Sequence, residues 1–143
     1  MNFISNAIKF TPSGGKVILR SSTVSVSQGI SSAAPPWAST ILTKLTEGNW
    51  LIVCVEDNGP GIPLDEQTRL FTRFYRTESA QRAQVPGTGL GLYVARMIIE
   101  AHGGLIGVAS EPGRGSCFWF ALSAPVINRA TTPSAPSQPY YQV

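Results

Sequence analysis

The sequence predicts an α+β two-layer sandwich, a mixed sheet covered on one face by helices, and three observations carry that expectation. Apolar spacing switches irregularly between helical and strand periods. The strands join through hairpin-type links and not through repeated crossover units, and 143 residues amount to one ordinary domain. Hydrophobic residues make up 43% of the chain and charged residues 13%, a globular balance that leaves room for long, bland polar segments.

Asn2, Asn6 and Lys9 recur at helical spacing, with Phe3, Ala7 and Phe10 forming an apolar face and Ile4 and Ile8 beside it, which reads as a short amphipathic helix. Thr11-Pro12-Ser13-Gly14-Gly15 stops it. Residues 16–24 read as a strand with Val17 and Leu19 on one face. Residues 25–48, rich in Ser, Ala and Thr and containing Pro35-Pro36, have no period and read as a hairpin connection of unusual length. A strongly apolar second strand at 50–56 breaks at Asp57-Asn58-Gly59-Pro60-Gly61.

Residues 64–75 read as helical in pieces and 81–88 as a mobile polar segment. Leu90, Val94, Met97, Ile98 and Ala101 then predict one apolar stripe on a helix that runs to about His102 and ends at Gly103-Gly104. Residues 105–109 and 116–122 read as strands joined through Glu111-Pro112-Gly113-Arg114-Gly115. The folded domain is expected at 1–124, and the proline-, serine- and threonine-rich residues 125–143 read as a disordered tail.

The net charge of +3 comes without a clustered basic stripe, which speaks against a nucleic-acid partner. Cys54 and Cys117 each lie inside an apolar run, so two buried free thiols and a reducing, cytoplasmic setting are expected. No apolar run approaches the roughly 20 residues that cross a bilayer, and Met1-Asn2-Phe3-Ile4 lacks a basic signal region. The fragment is therefore expected to be soluble without direct membrane contact, whatever anchors a longer parent.

Three segments carry chemistry. Glycines at 87, 89 and 91 remove β-carbons at the start of a helix, so that backbone N–H groups and the positive helix end approach an anion closely; a tight turn before a helix is the plainer reading. Asn2 and Asn6 lie one turn apart, and neutral amide oxygens on such a face suit Mg²⁺ balanced by phosphates, with Lys9 as a phosphate-facing cation; the plainer reading is a solvated helix side. Asp57 ends an apolar strand at a glycine-broken turn. A carboxylate there accepts from the exocyclic amine of adenine and repels the carbonyl of guanine, and the plainer reading is a turn cap.

Taken in order, these segments resemble the motifs of histidine kinases. Residues 2–12 are similar to that family's asparagine box, Asp57-Asn58-Gly59-Pro60-Gly61-Ile62 to its first glycine box, Leu70-Phe71-Thr72-Arg73-Phe74-Tyr75-Arg76 to its phenylalanine box, and Gly87-Thr88-Gly89-Leu90-Gly91-Leu92 to its second glycine box. Ala101-His102-Gly103-Gly104 and Gly113-Arg114-Gly115-Ser116-Cys117-Phe118 resemble its closing elements. The resemblance implies a Bergerat-type fold with a lid between the two glycine boxes, and an N-terminally incomplete domain, because the family has a strand and a helix start upstream of the asparagine box.

It also implies site roles. Asn2 would ligate Mg²⁺, with Asn6 as a second candidate ligand; Asn6 and Lys9 would meet the ATP phosphates, Arg76 the terminal one, and Asp57 and Gly61 the adenine end, with Gly59 and Ile62 also expected to bind ATP. Gly87, Gly89, Leu90 and Gly91 would form the lid hinge and phosphate turn, with Thr88 and Leu92 also expected to bind ATP. His102 matches a non-catalytic family position, so the phosphoacceptor would lie on a separate dimerisation domain that in turn serves a response regulator. Relatives that hydrolyse ATP carry a glutamate where this chain has Asn2, which implies phosphoryl transfer and not hydrolysis. A nucleotide-binding remnant without kinase activity and an anti-sigma-factor-type serine kinase are the rival readings.

Overall fold

The computed structural model describes residues 2–27, 30–32 and 39–124. Strands β1 (Val17–Ser27), β2 (Ile30–Ser32), β3 (Gly48–Asp57), β4 (Leu105–Glu111) and β5 (Gly115–Ser123) form one sheet in the order β2-β1-β3-β5-β4. Among the described residues five helices accompany it: α1 (Asn2–Phe10), α2 (Ser39–Leu42), α3 (Leu64–Gln67), α4 (Glu78–Arg82) and α5 (Gly91–Ala101). The α+β arrangement is the expected one, but the sheet is not mixed: every pairing among the described strands is antiparallel. β3 and β4 do run in the same direction, yet β5 returns between them and pairs with both, so no parallel ladder forms.

Alternation along β3 divides the core in two. Val55 faces the helical layer, where it packs with Phe118, Leu70 and the Phe3 and Ala7 face of α1. The Phe3 and Phe118 rings lie 5.6 Å apart in a tilted arrangement. Trp50, Ile52 and Cys54 point to the opposite face and pack with Val24, Val26, Trp119 and Ala121. That second face is closed by the connection between β1 and β3: Ile41 and Leu45 are buried against it, Trp50 Nε1 donates to the Thr46 carbonyl at 2.9 Å, and the Lys44 ammonium lies 5.5 Å from the Trp119 ring.

The structureless connection expected at 25–48 is thus partly regular. β1 continues to Ser27 because Val24 and Val26 alternate with serines and bury their side chains, and α2 seats Ile41 on the sheet. Residues 33–38 and the tail expected at 125–143 lie outside the described residues.

The predicted stripe of α5 is rotated. Val94, Met97 and Ile98 are 43%, 50% and 52% exposed, whereas Ile99 is buried and Leu92 and Ala95 pack on the helical-face core. α5 is apolar almost all round, so spacing alone does not select its inner side. Ile4 and Ile8 of α1 likewise face outward.

Cys54 and Cys117 are both free; Cys54 is buried, but Cys117 is only half-buried. The hydrogen bond with Cys54, reinforced by burial, pushes the Cys117 thiol up and keeps it neutral. No helix among the described residues is long and apolar enough to cross a membrane.

Candidate functional site

A cleft of ≈ 400 Å³ opens between α1, the end of β3, and the segment that leads through α4 into α5. Its size and its mixed polar and apolar wall suit a small organic ligand. Asn2, Asn6 and Lys9 enter from the polar side of α1, whose other side is anchored by Phe3 and Ala7. Asn2 Nδ2 donates to the Gly91 carbonyl at 2.8 Å, tying α1 to the start of α5 and leaving the amide oxygen as an acceptor.

Two of the three glycines of the 87–91 turn are needed, for different reasons. A β-carbon on Gly91 would stand 3.1 Å from Asn2 Oδ1, so its absence lets the asparagine approach. Gly89 has φ +71°, and a β-carbon there would meet the Phe74 carbonyl carbon at 2.6 Å. Phe74 N also donates to the Gly89 carbonyl at 3.0 Å, which joins the phenylalanine-rich segment to the turn. Gly87 meets nothing within 4 Å and faces open space.

Asp57 forms the opposite end. It is 6% exposed, and its Oδ1 accepts from Gly59 N at 2.9 Å. Burial pushes its carboxyl above the ordinary range, while N–H bonds from Gly59 and Ser116 partly oppose that rise. The turn after it is held closely: Gly113 N donates to the Pro60 carbonyl at 2.7 Å, and a β-carbon on Gly61, at φ +73°, would stand 2.0 Å from the Glu111 carbonyl oxygen.

Arg76 lines the cleft, but its guanidinium donates to the Ala80 carbonyl at 3.4 Å and to the Val85 carbonyl. Thr77 caps α4 by accepting from Ala80 N at 3.2 Å. The polar segment expected at 81–88 begins within α4 and presents Val85 and Pro86 to the cleft.

Of the residues expected from sequence, Asn2, Asn6, Lys9, Asp57, Gly61, Ile62, Arg76, Gly87, Thr88, Gly89, Gly91 and Leu92 all line this one cleft. Gly59 and Leu90 do not: Gly59 donates to Asp57, and Leu90 N donates to Thr88 Oγ1 at 3.3 Å, so both shape the turns from behind. His102 is exposed at the end of α5, its Nδ1 2.7 Å from the Ile98 carbonyl, and is not part of the wall. Sequence reasoning missed Ser116, Tyr75, Thr77 and Phe118, which also line the cleft. Ser116 stands opposite Asp57 in the β3–β5 register, a relation that exists only once the strands pair.

The family model described as "Histidine kinase-, DNA gyrase B-, and HSP90-like ATPase" matches residues 1–126. The adaptive-response sensory kinase SasA of Prochlorococcus marinus (strain MIT 9313) is 39% identical over 129 residues, which are 90% of this chain and 28% of the relative. The sensor histidine kinase WalK of Bacillus subtilis (strain 168) is 35% identical over 121 residues, 85% of this chain and 16% of the relative. The chain thus spans 28% of the length of one of these relatives and 16% of the other. Among solved structures, full-length ShkA in complex with AMPPNP is similar with TM-score 0.58 and 32% identity, covering 90% of this chain and 22% of that one. The mycobacterial sensor histidine kinase MprB is similar with TM-score 0.58 and 27% identity, covering 85% of this chain and 65% of that one.

Proposed function

The chain belongs to the histidine kinase-, DNA gyrase B- and HSP90-like ATPase family, and from that premise we propose that it is the ATP-binding catalytic portion of a sensor histidine kinase, acting on a histidine of a separate dimerisation domain. The observation that carries this reading is the convergence on one cleft of a buried carboxylate at one end and the amides, lysine and glycine turn at the other. Asp57 accepts from the exocyclic amine of adenine. Lys9, Asn6 and the N–H groups at the start of α5 meet the phosphates.

Mg²⁺ fits the phosphate end through the Asn2 and Asn6 amide oxygens, where the ion would neutralise phosphate charge. In this reading the ligand set is amide oxygen and phosphate. The dimerisation domain and, through it, a response regulator are the partners this reading assigns.

Transfer is favoured over hydrolysis by a feature of the wall: among the described residues lining the cleft, Asp57 is the sole carboxylate, and it stands at the base end. The amides of Asn2 and Asn6 orient groups but do not take a proton from water. The remnant and serine-kinase readings gain nothing from the comparisons, whose kinase relatives are named as sensory or histidine kinases.

The test mixes the full chain, radiolabelled Mg-ATP and a dimerisation domain that bears an acceptor histidine, with Asn6→Asp as the control. Acid-labile label on the added domain is the expected result. Label on His102 of the chain alone, or rapid release of phosphate to water, overturns the proposal.

A further inference from the structure

Behind the base end of the cleft, one hydroxyl joins three elements. Ser110 of β4 stands opposite Ser116 of β5. Its Oγ accepts from Ile62 N at 2.8 Å, donates to the Gly115 carbonyl at 2.8 Å, and lies 3.0 Å from Ser116 Oγ. Gln67 Nε2 adds a clamp, donating to the Ile62 carbonyl at 2.7 Å and the Ser110 carbonyl at 2.9 Å. Both of its partners are carbonyls, which fixes the orientation of the amide.

Counting protons around Ser110 decides what Ser116 shows to the cleft. A serine hydroxyl has one proton and two lone pairs. The Gly115 carbonyl only accepts, so the Ser110 proton is directed there. Ile62 N–H occupies one lone pair, and the remaining one faces Ser116. Ser116 is therefore the donor in the serine–serine contact. With its proton turned away, Ser116, which is 7% exposed and lines the cleft, offers only lone pairs on the side of the ligand. The Asp57 carboxylate, its neighbour in the β3–β5 register, is likewise an acceptor.

We propose that Ser110, which does not itself line the cleft, is a positioning residue for purine selectivity: by fixing the Ser116 proton it keeps the base end donor-poor, so the site takes a purine with an amine at C6 and rejects one with a carbonyl there. The proposal rests on the adenine-nucleotide reading above and names a residue that makes it selective. Without the Ser110 hydroxyl, Ser116 rotates freely and its proton reaches a C6 carbonyl. Gln67 supports the same geometry by holding the Ile62 turn against β4.

The experiment titrates the full chain and its Ser110→Ala and Ser110→Thr variants with Mg-ATP and Mg-ITP by calorimetry, the two nucleotides differing in the C6 amine and carbonyl. Wild type prefers ATP. Ser110→Ala narrows the ATP:ITP preference by roughly tenfold, the size of one hydrogen bond gained by the carbonyl, mainly through tighter ITP. Ser110→Thr keeps the wild-type ratio. A role confined to stability would weaken both nucleotides equally, and an unchanged ratio in Ser110→Ala overturns the proposal. If Ser110→Ala does not fold, Ser116→Ala replaces it: the ratio narrows through weaker ATP, and an unchanged ratio again overturns it. A wild-type chain that binds neither nucleotide overturns the adenine-nucleotide reading itself, a result distinct from ATP binding with an unmoved ratio.

Discussion

Replacing Asp57 by Asn separates the cost of burying this carboxylate from its use. In the ligand-free chain Asp57 is 6% exposed, and burial, the largest influence on it, raises its pKa above the ordinary 3.8. A raised folded-state pKa means that the group's contribution to stability is fully present below the unfolded value and is lost as pH rises through the folded one. The wild type should therefore gain stability relative to Asp57→Asn as pH falls from neutral through the raised pKa, the gain levelling off only below the unfolded value of 3.8. Other carboxylates are common to both proteins and cancel in the difference. Nucleotide binding draws on the charged form, since the carboxylate accepts from an amine more strongly than a neutral carboxyl or amide oxygen and presents no donor of its own. Loss of one charge-assisted hydrogen bond should cost about 1.5–3 kcal/mol, a roughly 10- to 150-fold weaker Kd at neutral pH. The assays are calorimetric titration with Mg-ATP and thermal unfolding of both proteins across pH 4–8. An Asp57→Asn chain that binds ATP within about twofold of wild type, or a stability difference that moves the opposite way on acidification, would refute the reasoning.

Hydrogen exchange should be fast over residues 81–88 in the ligand-free chain and slow with Mg-ATP; in Arg76→Ala, the Val85 amide should exchange faster still without ligand, because the guanidinium no longer holds the Val85 carbonyl. Gly115→Ala should destabilise the chain by more than about 2 kcal/mol, since its β-carbon would stand 1.9 Å from the Asp57 carbonyl oxygen. Gly113→Ala, also at positive φ but with nothing within 4 Å, should cost only about 1–2 kcal/mol, and equal losses in chemical denaturation would contradict this ranking. Ile41→Ala should cost about 2–5 kcal/mol, because Ile41 is 2% exposed against the second face of the sheet. A loss below about 0.5 kcal/mol would mean that α2 does not close that face.

The polar side of α1 was legible because the cleft wall and the periodicity coincide there: Asn2, Asn6 and Lys9 sit opposite Phe3 and Ala7, so one count of spacing identifies both the cleft-lining residues and the core. α5 offered no such contrast. Its inner residues Leu92, Ala95 and Ile99 and its outer residues Val94, Met97 and Ile98 are equally apolar, and the packing of α1 and the sheet, not the sequence spacing, selects the rotation. The alternation Val24, Ser25, Val26 was present in the sequence but drowned in a serine-rich stretch, which shortened the predicted first strand and hid the cover over the second face. Ser110, Ser116 and Gln67 were illegible for a different reason. Their meaning lies in pairings 6, 43 and 48 residues apart, and those distances are set by register and turn geometry.

The glycines show how closely each end of the cleft is held. At the base end, β-carbons on Gly61 and Gly115 would meet backbone oxygens at 2.0 and 1.9 Å, and backbone cannot swing aside as a side chain can. The glycine turn at the other end mixes both conditions: a β-carbon on Gly89 would meet the Phe74 carbonyl carbon at 2.6 Å, whereas Gly87 has nothing within 4 Å, and the Arg76 guanidinium is held by the Ala80 and Val85 carbonyls, bonds that a phosphate oxygen would replace in the proposed role. Under the proposed function, a closely held base end beside a partly open phosphate end suits phosphoryl transfer to an incoming acceptor, because the base would fix the nucleotide while residues 81–88 make room for the other reactant. A water-activating ATPase would need the reverse, a fixed general base beside the terminal phosphate, and the described wall places its sole carboxylate at the far end, under the base.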